Sequence, residues 1–426
     1  MSSSSCREES SIDLRLAVRR RSPPSQIGKG YDYAAPAKDR HVANRWKSLL
    51  ALFAPPEAGR TVEHLHVIDL GRGLAALVVL IWHYQHFYFP AAGVKLPPAA
   101  RPMEPLYWLL NPFYEHGAYA VQFFWLLSGF VFCAVYVGQK ATTREFVVNR
   151  FARLYPLHLL TLMVVLLLQL TSAGLVGHEQ IYPNNDAYHF ALNLLFASFW
   201  GLEAGYSFNG PIWSVSVEVA IYAAFWLTLP FLYRRGVLGP ALLALVGWLL
   251  AFKLFTPGVH FWTCGFYFFA GSVAYIVFDR FRGRPWLMVG AALALLAFGL
   301  FVNLEHEYRL ASIGMPSLIM GLLLLLCGSE ALGLGTIAAR ARWIGDNTYG
   351  VYLWHVPVQI AALIVIDAWV GNRAVVSQPW FLLAFVALVM LIARFSFIIF
   401  ENPARSTIRR FAEPGETAQT STALTA

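Results

Sequence analysis

Charge is what this sequence has least of: Asp, Glu, Lys and Arg supply 13% of its 426 residues, about half of the roughly 25% found in soluble domains. That scarcity excludes the ordinary soluble classes. Hydrophobic residues reach 58%, which points to a polytopic membrane protein. Cysteine is also sparse, and the four present, Cys6, Cys133, Cys264 and Cys327, are scattered. They imply neither a disulfide framework nor zinc spacing, so no metal is expected. Residues 1–60 lack a long apolar core, so no signal peptide is expected and the first span would serve as the insertion signal. The net charge of +8 is concentrated in the tails and in loops between apolar runs. It therefore reports topology and lipid contact, with no nucleic-acid partner implied.

Residues 1–60, rich in Ser, Arg and Pro, read as a disordered basic cytoplasmic tail. Within them Ser48 to Ala54 forms an apolar patch too short to span. Residues 61–405 form the membrane domain and 406–426 a second disordered tail. After a first helix beginning near His66, the expected spans are 117–137, 157–175, 212–233, 238–255, 260–279, 286–303, 313–328, 345–366 and 380–400. Basic residues fall in alternate loops: Lys140, Arg144, Arg150 and Arg153, then Arg234 and Arg235, Arg280, Arg282 and Arg284, Arg340 and Arg342, and finally Arg405, Arg409 and Arg410. The fold class is thus an all-α polytopic membrane bundle of about ten transmembrane helices with both termini cytoplasmic. The alternation requires Tyr188 to Trp200 to lie at the outer interface or re-enter. Neither an internal repeat nor a heptad array is visible.

The stretch HVIDLGRGLAALVVLIWHYQHFYFP, His66 to Pro90, carries Asp69, Arg72, His83 and His86 inside an apolar run. Ionisable groups are costly there and mark function by default. Arg72 and His83 lie about 20° apart around a helix and about 16 Å apart along it, with Asp69 within about 60° of both. Arg150 and Arg153, at i and i+3, share a face that could hold phosphate groups by forked hydrogen bonds, or simply anchor the cytoplasmic end. Ser128 and Gly129 suit close helix packing. His355, followed by Pro357, falls near the midplane of its span, where structural and functional roles are both open. Glu218 and His83 each lie seven residues inside a proline, Pro211 and Pro90, and so about 10 Å below the outer boundary. Glu218 is expected to orient His83 as a general base. Its competing role is a brace to Ser214 or Tyr222 on its own helix. Trp213 and Asp69 are further candidates for the pocket.

His64 to Asp69 spells H-x-x-x-x-D, the pattern of glycerolipid acyltransferases, but so loose a match recurs by chance and is discounted. The larger pattern resembles the integral-membrane acyltransferase-3 family from Ile68 to about Arg405. Its pieces are IDLGRGLAALVVLIWH with R-x10-H spacing, FFWLLSGF, the R-x-x-R of RFARLYP, NGPIWSVSVEVAIY, NTYGVYLWHVP and FENPAR. The resemblance implies transfer of an acyl group, often acetyl from cytoplasmic acetyl-CoA, to a hydroxyl of a bacterial cell-surface carbohydrate or glycolipid. It also implies an essential His83, as base or acyl relay, with Arg72, Arg150 and Arg153 needed for activity. Acyl-CoA is then a co-substrate, no cofactor is resident, and the inner membrane is the expected location. No SGNH-type soluble domain, which some members carry, is expected here. A proton-coupled transporter or flippase is the alternative, since it too would bury charges along a path. Acceptor specificity would fall to the outer loops 90–116 and 176–211, whose Trp, Tyr and His can stack on sugar rings.

Overall fold

The computed structural model describes residues 51–54, 64–254, 258–302 and 309–412. The expectations for residues 1–50 and 413–426 lie outside these. Among the described residues every regular element is a helix, with no strand. The principal helices are α1 His66–His83, α2 Tyr107–His116, α3 Ala120–Tyr136, α4 Thr143–Leu175, α5 Ala187–Leu194, α6 Ile212–Leu232, α7 Leu238–Phe252, α8 Val259–Phe281, α9 Pro285–Phe301, α10 Met315–Ser329, α11 Thr348–Val365, α12 Pro379–Ser396 and α13 Asn402–Ala412. Among the described residues seven helical stretches are long and apolar enough to cross a membrane, and α7 and α9 are shorter apolar helices. One of the seven, Leu310–Val370, runs through α10 and α11 and is broken at Gly333, whose φ of 93° ends the helical path. Helix α5 has only eight residues, about 12 Å, too short to cross.

Three boundaries differ from the sequence reading. Helix α1 gives way at Tyr84 to a tighter 3-10 turn that runs to Tyr88, because Gln359 donates to the carbonyl of His83 (2.8 Å) in place of a helical partner. Helix α4 begins at Thr143, fourteen residues before the expected span. A capping box starts it there: Thr142 N donates to Glu145 (2.6 Å) and Glu145 N to the Thr142 hydroxyl (3.2 Å). Arg150 and Arg153 therefore sit inside a 33-residue helix. The chain from 406 to 412 is helical, because residues 404, 405, 408, 409 and 412 share one half-buried face of α13, which packs against α4.

Helices α3 and α8 are pressed backbone to backbone. A Cβ on Gly129 would collide with the carbonyl of Phe268, and one on Gly271 with the carbonyl of Leu126. This contact belongs to one core cluster, built around Trp125, Phe130, Phe132 and Phe268. A second gathers Leu80, Tyr84, Phe87, Leu162, Val356 and Phe385 from α1, its 3-10 extension, α4, α11 and α12. Helix α1 contributes to both.

Candidate active site

The start of α1 is held from outside itself. Leu65 caps it without a side-chain bond, and the otherwise orphaned N–H of Val67 donates to Glu330 (2.7 Å) in the turn after α10. Two turns of chemistry follow. Arg72 donates to Asp69 (3.1 Å), and the same carboxylate meets Nε2 of His64 at 3.1 Å.

Arg72 lines a cavity of about 130 Å3 with Arg150 and Arg153 of α4, Ser128 of α3, Glu218 and Tyr222 of α6, and Tyr352 of α11. Five helices thus converge on it. Arg150 lies over the rings of Phe132 (4.7 Å) and Tyr136 (5.7 Å), an aromatic seat suited to a guanidinium, and its buried Nε has no hydrogen-bond partner. Arg153 is within electrostatic reach of Arg72, Arg405, Arg150 and Glu401. Arg405 lies on α13, and its Nε is likewise buried and unpartnered. Glu401 closes a π-turn, Phe397–Glu401, immediately before that helix. The arrangement concentrates guanidinium groups around an internal space, the chemistry that binds phosphates.

The expected pairing of Glu218 with His83 does not form. Glu218 accepts from Tyr222 (2.7 Å) and Ser128, and it faces Arg150 and Arg153. Equal depth below two prolines fixed height but not direction around the helix axis, and Glu218 points into the arginine cavity. The brace to Tyr222, four residues on, is the contact present. Ser128 joins this group, whereas Trp213 stands behind the wall, edge-on to Trp125 (5.7 Å) and beside His260 (4.8 Å). Asp69 acts on the cavity through Arg72.

His83 stands at the other end of α1, about 16 Å from Arg72 along the axis. It does not line the arginine cavity. Tyr352 does, and it leads towards the histidines: its ring lies 6.1 Å from that of His355, whose ring lies 4.7 Å from His83. His86 is 5.0 Å from His83. All three imidazoles are buried. A carbonyl oxygen can only accept, so each Nδ1 facing one carries the proton. That holds for His83 Nδ1 against Val79 O (2.9 Å) and for His355 Nδ1 against Val351 O (3.2 Å). Gln359 donates its amide to His83 O, leaving its oxygen to accept from His86 Nδ1 (3.1 Å). The hydroxyl of Tyr182 then covers His86 Nε2 at 3.4 Å. Every Nδ1 is occupied, and the Nε2 atoms of His83 and His355 are left with open lone pairs. The backbone of Val79 therefore fixes the tautomer of His83, the role expected of Glu218. His86 meets His83 edge-on and His355 meets it tilted at 45°, and among the described residues no three His, Cys, Asp or Glu side chains could hold a metal ion.

The frame around these rings was not visible in the sequence. Pro357 has no N–H for the carbonyl of Leu353, and Asn209 supplies the missing donor (2.9 Å). Asn209 follows Phe208 and Tyr182 follows Ile181, both non-glycine residues at positive φ (46° and 63°). Such strain costs about 1–3 kcal/mol each and collects at sites where geometry matters. Outside the spans, Arg373 donates to Phe89 O (2.6 Å) and pairs with Asp367 (2.6 Å), which ties down the extension of α1. Arg405, Glu401, Tyr352 and Gln359 also went unassigned, although Tyr352 stands three residues before His355 and so on its face.

Residues 65–398 match a family described as an acyltransferase domain. The chain belongs to this acyltransferase-3 family. It is similar to the peptidoglycan O-acetyltransferase OatA of Listeria monocytogenes, with 25% identity over 341 residues, 68% of this chain and 51% of OatA. It is also similar to the exopolysaccharide production protein ExoZ of Rhizobium meliloti, 28% identical over 256 residues, 56% of this chain and 75% of ExoZ. A third relative, the acyltransferase MdmB of Streptomyces mycarofaciens, is 37% identical over 123 residues, 28% of this chain and 29% of MdmB. The chain thus spans about half the length of OatA. No solved structure matches. The acyltransferase-3 match takes in α1, both ends of which carry the chemistry described above, and stops before α13.

Proposed function

We propose that the protein is a multi-pass O-acyltransferase of the plasma (inner) membrane. It moves an acyl group, acetyl in the first instance, from cytoplasmic acyl-CoA to a hydroxyl of an extracytoplasmic carbohydrate or glycolipid. The observation that carries this reading is the division of α1: guanidinium groups around a cavity at one end, neutral imidazoles with open lone pairs at the other. A phosphate-rich donor fits the first and a hydroxyl the second. Arg72, Arg150 and Arg153 would hold the CoA phosphates, and the pantetheine arm would run along the cavity past Ser128 and Glu218 to Tyr352 and the histidines beyond. The positive-inside pattern assigns the arginine end to the cytoplasm.

In the proposed step the acceptor O–H gives its proton to His83 Nε2 as the oxygen attacks the thioester carbonyl. Collapse of the tetrahedral species breaks the C–S bond, and the imidazolium returns the proton to the departing thiolate. The products are the O-acyl ester and free CoA, and His83 is neutral again. Val79 O, accepting from Nδ1–H, steadies the ring in both charge states. Reconstitution of the purified protein in liposomes with labelled acetyl-CoA tests the activity, and mass analysis of surface glycans from cells with and without the gene tests the acceptor. Label in glycan, and an acetyl-sized increment lost with the gene, are expected. Counterflow of solute without any acyl donor would replace this reading with transport.

A further inference from the structure

The imidazole end has one more open atom than a single base requires. His355 is fully buried. Its Nδ1–H is committed to Val351 O, and its Nε2 has no hydrogen-bond partner. A buried acceptor without a donor is unfavourable, and helix α11 keeps this one in place beside Pro357 and Gln359. His86, the third ring, shows the contrast: Tyr182 and Gln359 satisfy both of its nitrogens. The two unsatisfied Nε2 atoms belong to the two rings in contact at 4.7 Å. Both accept, so a ligand that reaches both rings brings two donors.

Resting on the acyltransferase reading above, we infer that the acceptor is gripped through two neighbouring hydroxyls of a sugar ring, one deprotonated by His83 and the next donating to His355. Vicinal hydroxyls are one carbon–carbon bond apart, a span that two imidazoles in ring contact can bracket. Only the attacked hydroxyl loses its proton, to His83 Nε2. Its neighbour keeps its own and lends it as a hydrogen bond to His355 Nε2. His355 thereby selects a 1,2-diol over an isolated alcohol and sets which hydroxyl of the ring is acylated.

The test uses the full chain in liposomes with labelled acetyl-CoA and, as probes, methyl pyranosides and their monodeoxy analogues, with product sites mapped by NMR. Removing the hydroxyl beside the acylated one should lower kcat/KM on the order of 10- to 100-fold, the cost of one unpaired buried acceptor. His355→Leu should lose a similar factor on the intact glycoside and almost nothing further on the deoxy one, because the same bond is already gone. His355→Gln, which keeps an acceptor oxygen, should recover part of the loss, and donor binding should be unchanged in both variants. Wild-type protein that acylates deoxy and parent glycosides equally, or losses that multiply, would overturn the inference. Failure of wild type to acylate any glycoside while still turning over acetyl-CoA with another acceptor would instead overturn the carbohydrate reading beneath it.

Discussion

The two ends of α1 solve opposite electrostatic problems. At the Arg72 end charges are kept: guanidinium groups from α1 and α4 line a cavity, Arg405 of α13 is within electrostatic reach of Arg153, and nitrogens of Arg150 and Arg405 are buried and unpartnered. At the His83 end charge is avoided: three imidazoles are each pinned by an acceptor at Nδ1, and carbonyls freed by helix irregularities are closed by Gln359 and Asn209. In the proposed reading the first end receives the negative charge of the donor and the second accepts a proton. One helix holds them about 16 Å apart, which in the proposed reading lets a donor and an acceptor enter from opposite faces.

The largest effect expected from breaking this comparison is at the base. His83→Ala should reduce acyl transfer by about 10²–10⁴-fold, the range for a positioned general base, with KM for acyl-CoA nearly unchanged. At the other end, Arg153→Gln or Arg150→Gln should raise the donor KM on the order of 10- to 100-fold, as for a hydrogen bond to a charged group. Arg405→Gln should do so to a smaller extent, with the exposed Arg410→Gln as the unaffected control. Titrating salt against donor KM would check that the effect is electrostatic. Asn209→Leu should leave the carbonyl of Leu353 unpaired and destabilise the fold by about 1–3 kcal/mol, read as a lowered melting temperature in detergent.

Glu218→Gln sharpens the contrast further. Because Glu218 bonds Tyr222 and Ser128 at the arginine end, its loss should shift donor KM several-fold and leave the pH profile of kcat unmoved, whereas a group orienting His83 would move it. The smallest effect is expected from His64→Ala. His64 touches Asp69 at 3.1 Å, so the H-x-x-x-x-D pair does form, yet neither residue lines the cavity, and activity should stay within a few-fold of wild type.

How much of this could be read from residues alone follows from what each interaction depends on. Arg72, Arg150 and Arg153 were legible because ionisable residues in apolar runs stand out against their background, whereas Ser128 read as a packing residue and its place beside them was not legible. The ring contact of His83 and His355 was half legible: both were singled out, but nothing in their spacing joined residues 272 positions apart. The partner of Glu218 was misplaced because counting from a proline measures depth and leaves rotation free. Gln359, Asn209 and Tyr182 were silent, since neutral polar residues are common near membrane surfaces and acquire meaning only through distant backbone atoms. The start of α4 was legible in principle, as T-x-x-E before an apolar run is a helix-start signal.

The central claim, that one helix separates donor binding from proton transfer, is tested most directly by measuring CoA binding and acyl transfer on the same purified His83→Gln protein. The account predicts CoA affinity equal to wild type with transfer reduced at least about 100-fold. Transfer within a few-fold of wild type, or loss of CoA binding in step with activity, would contradict it.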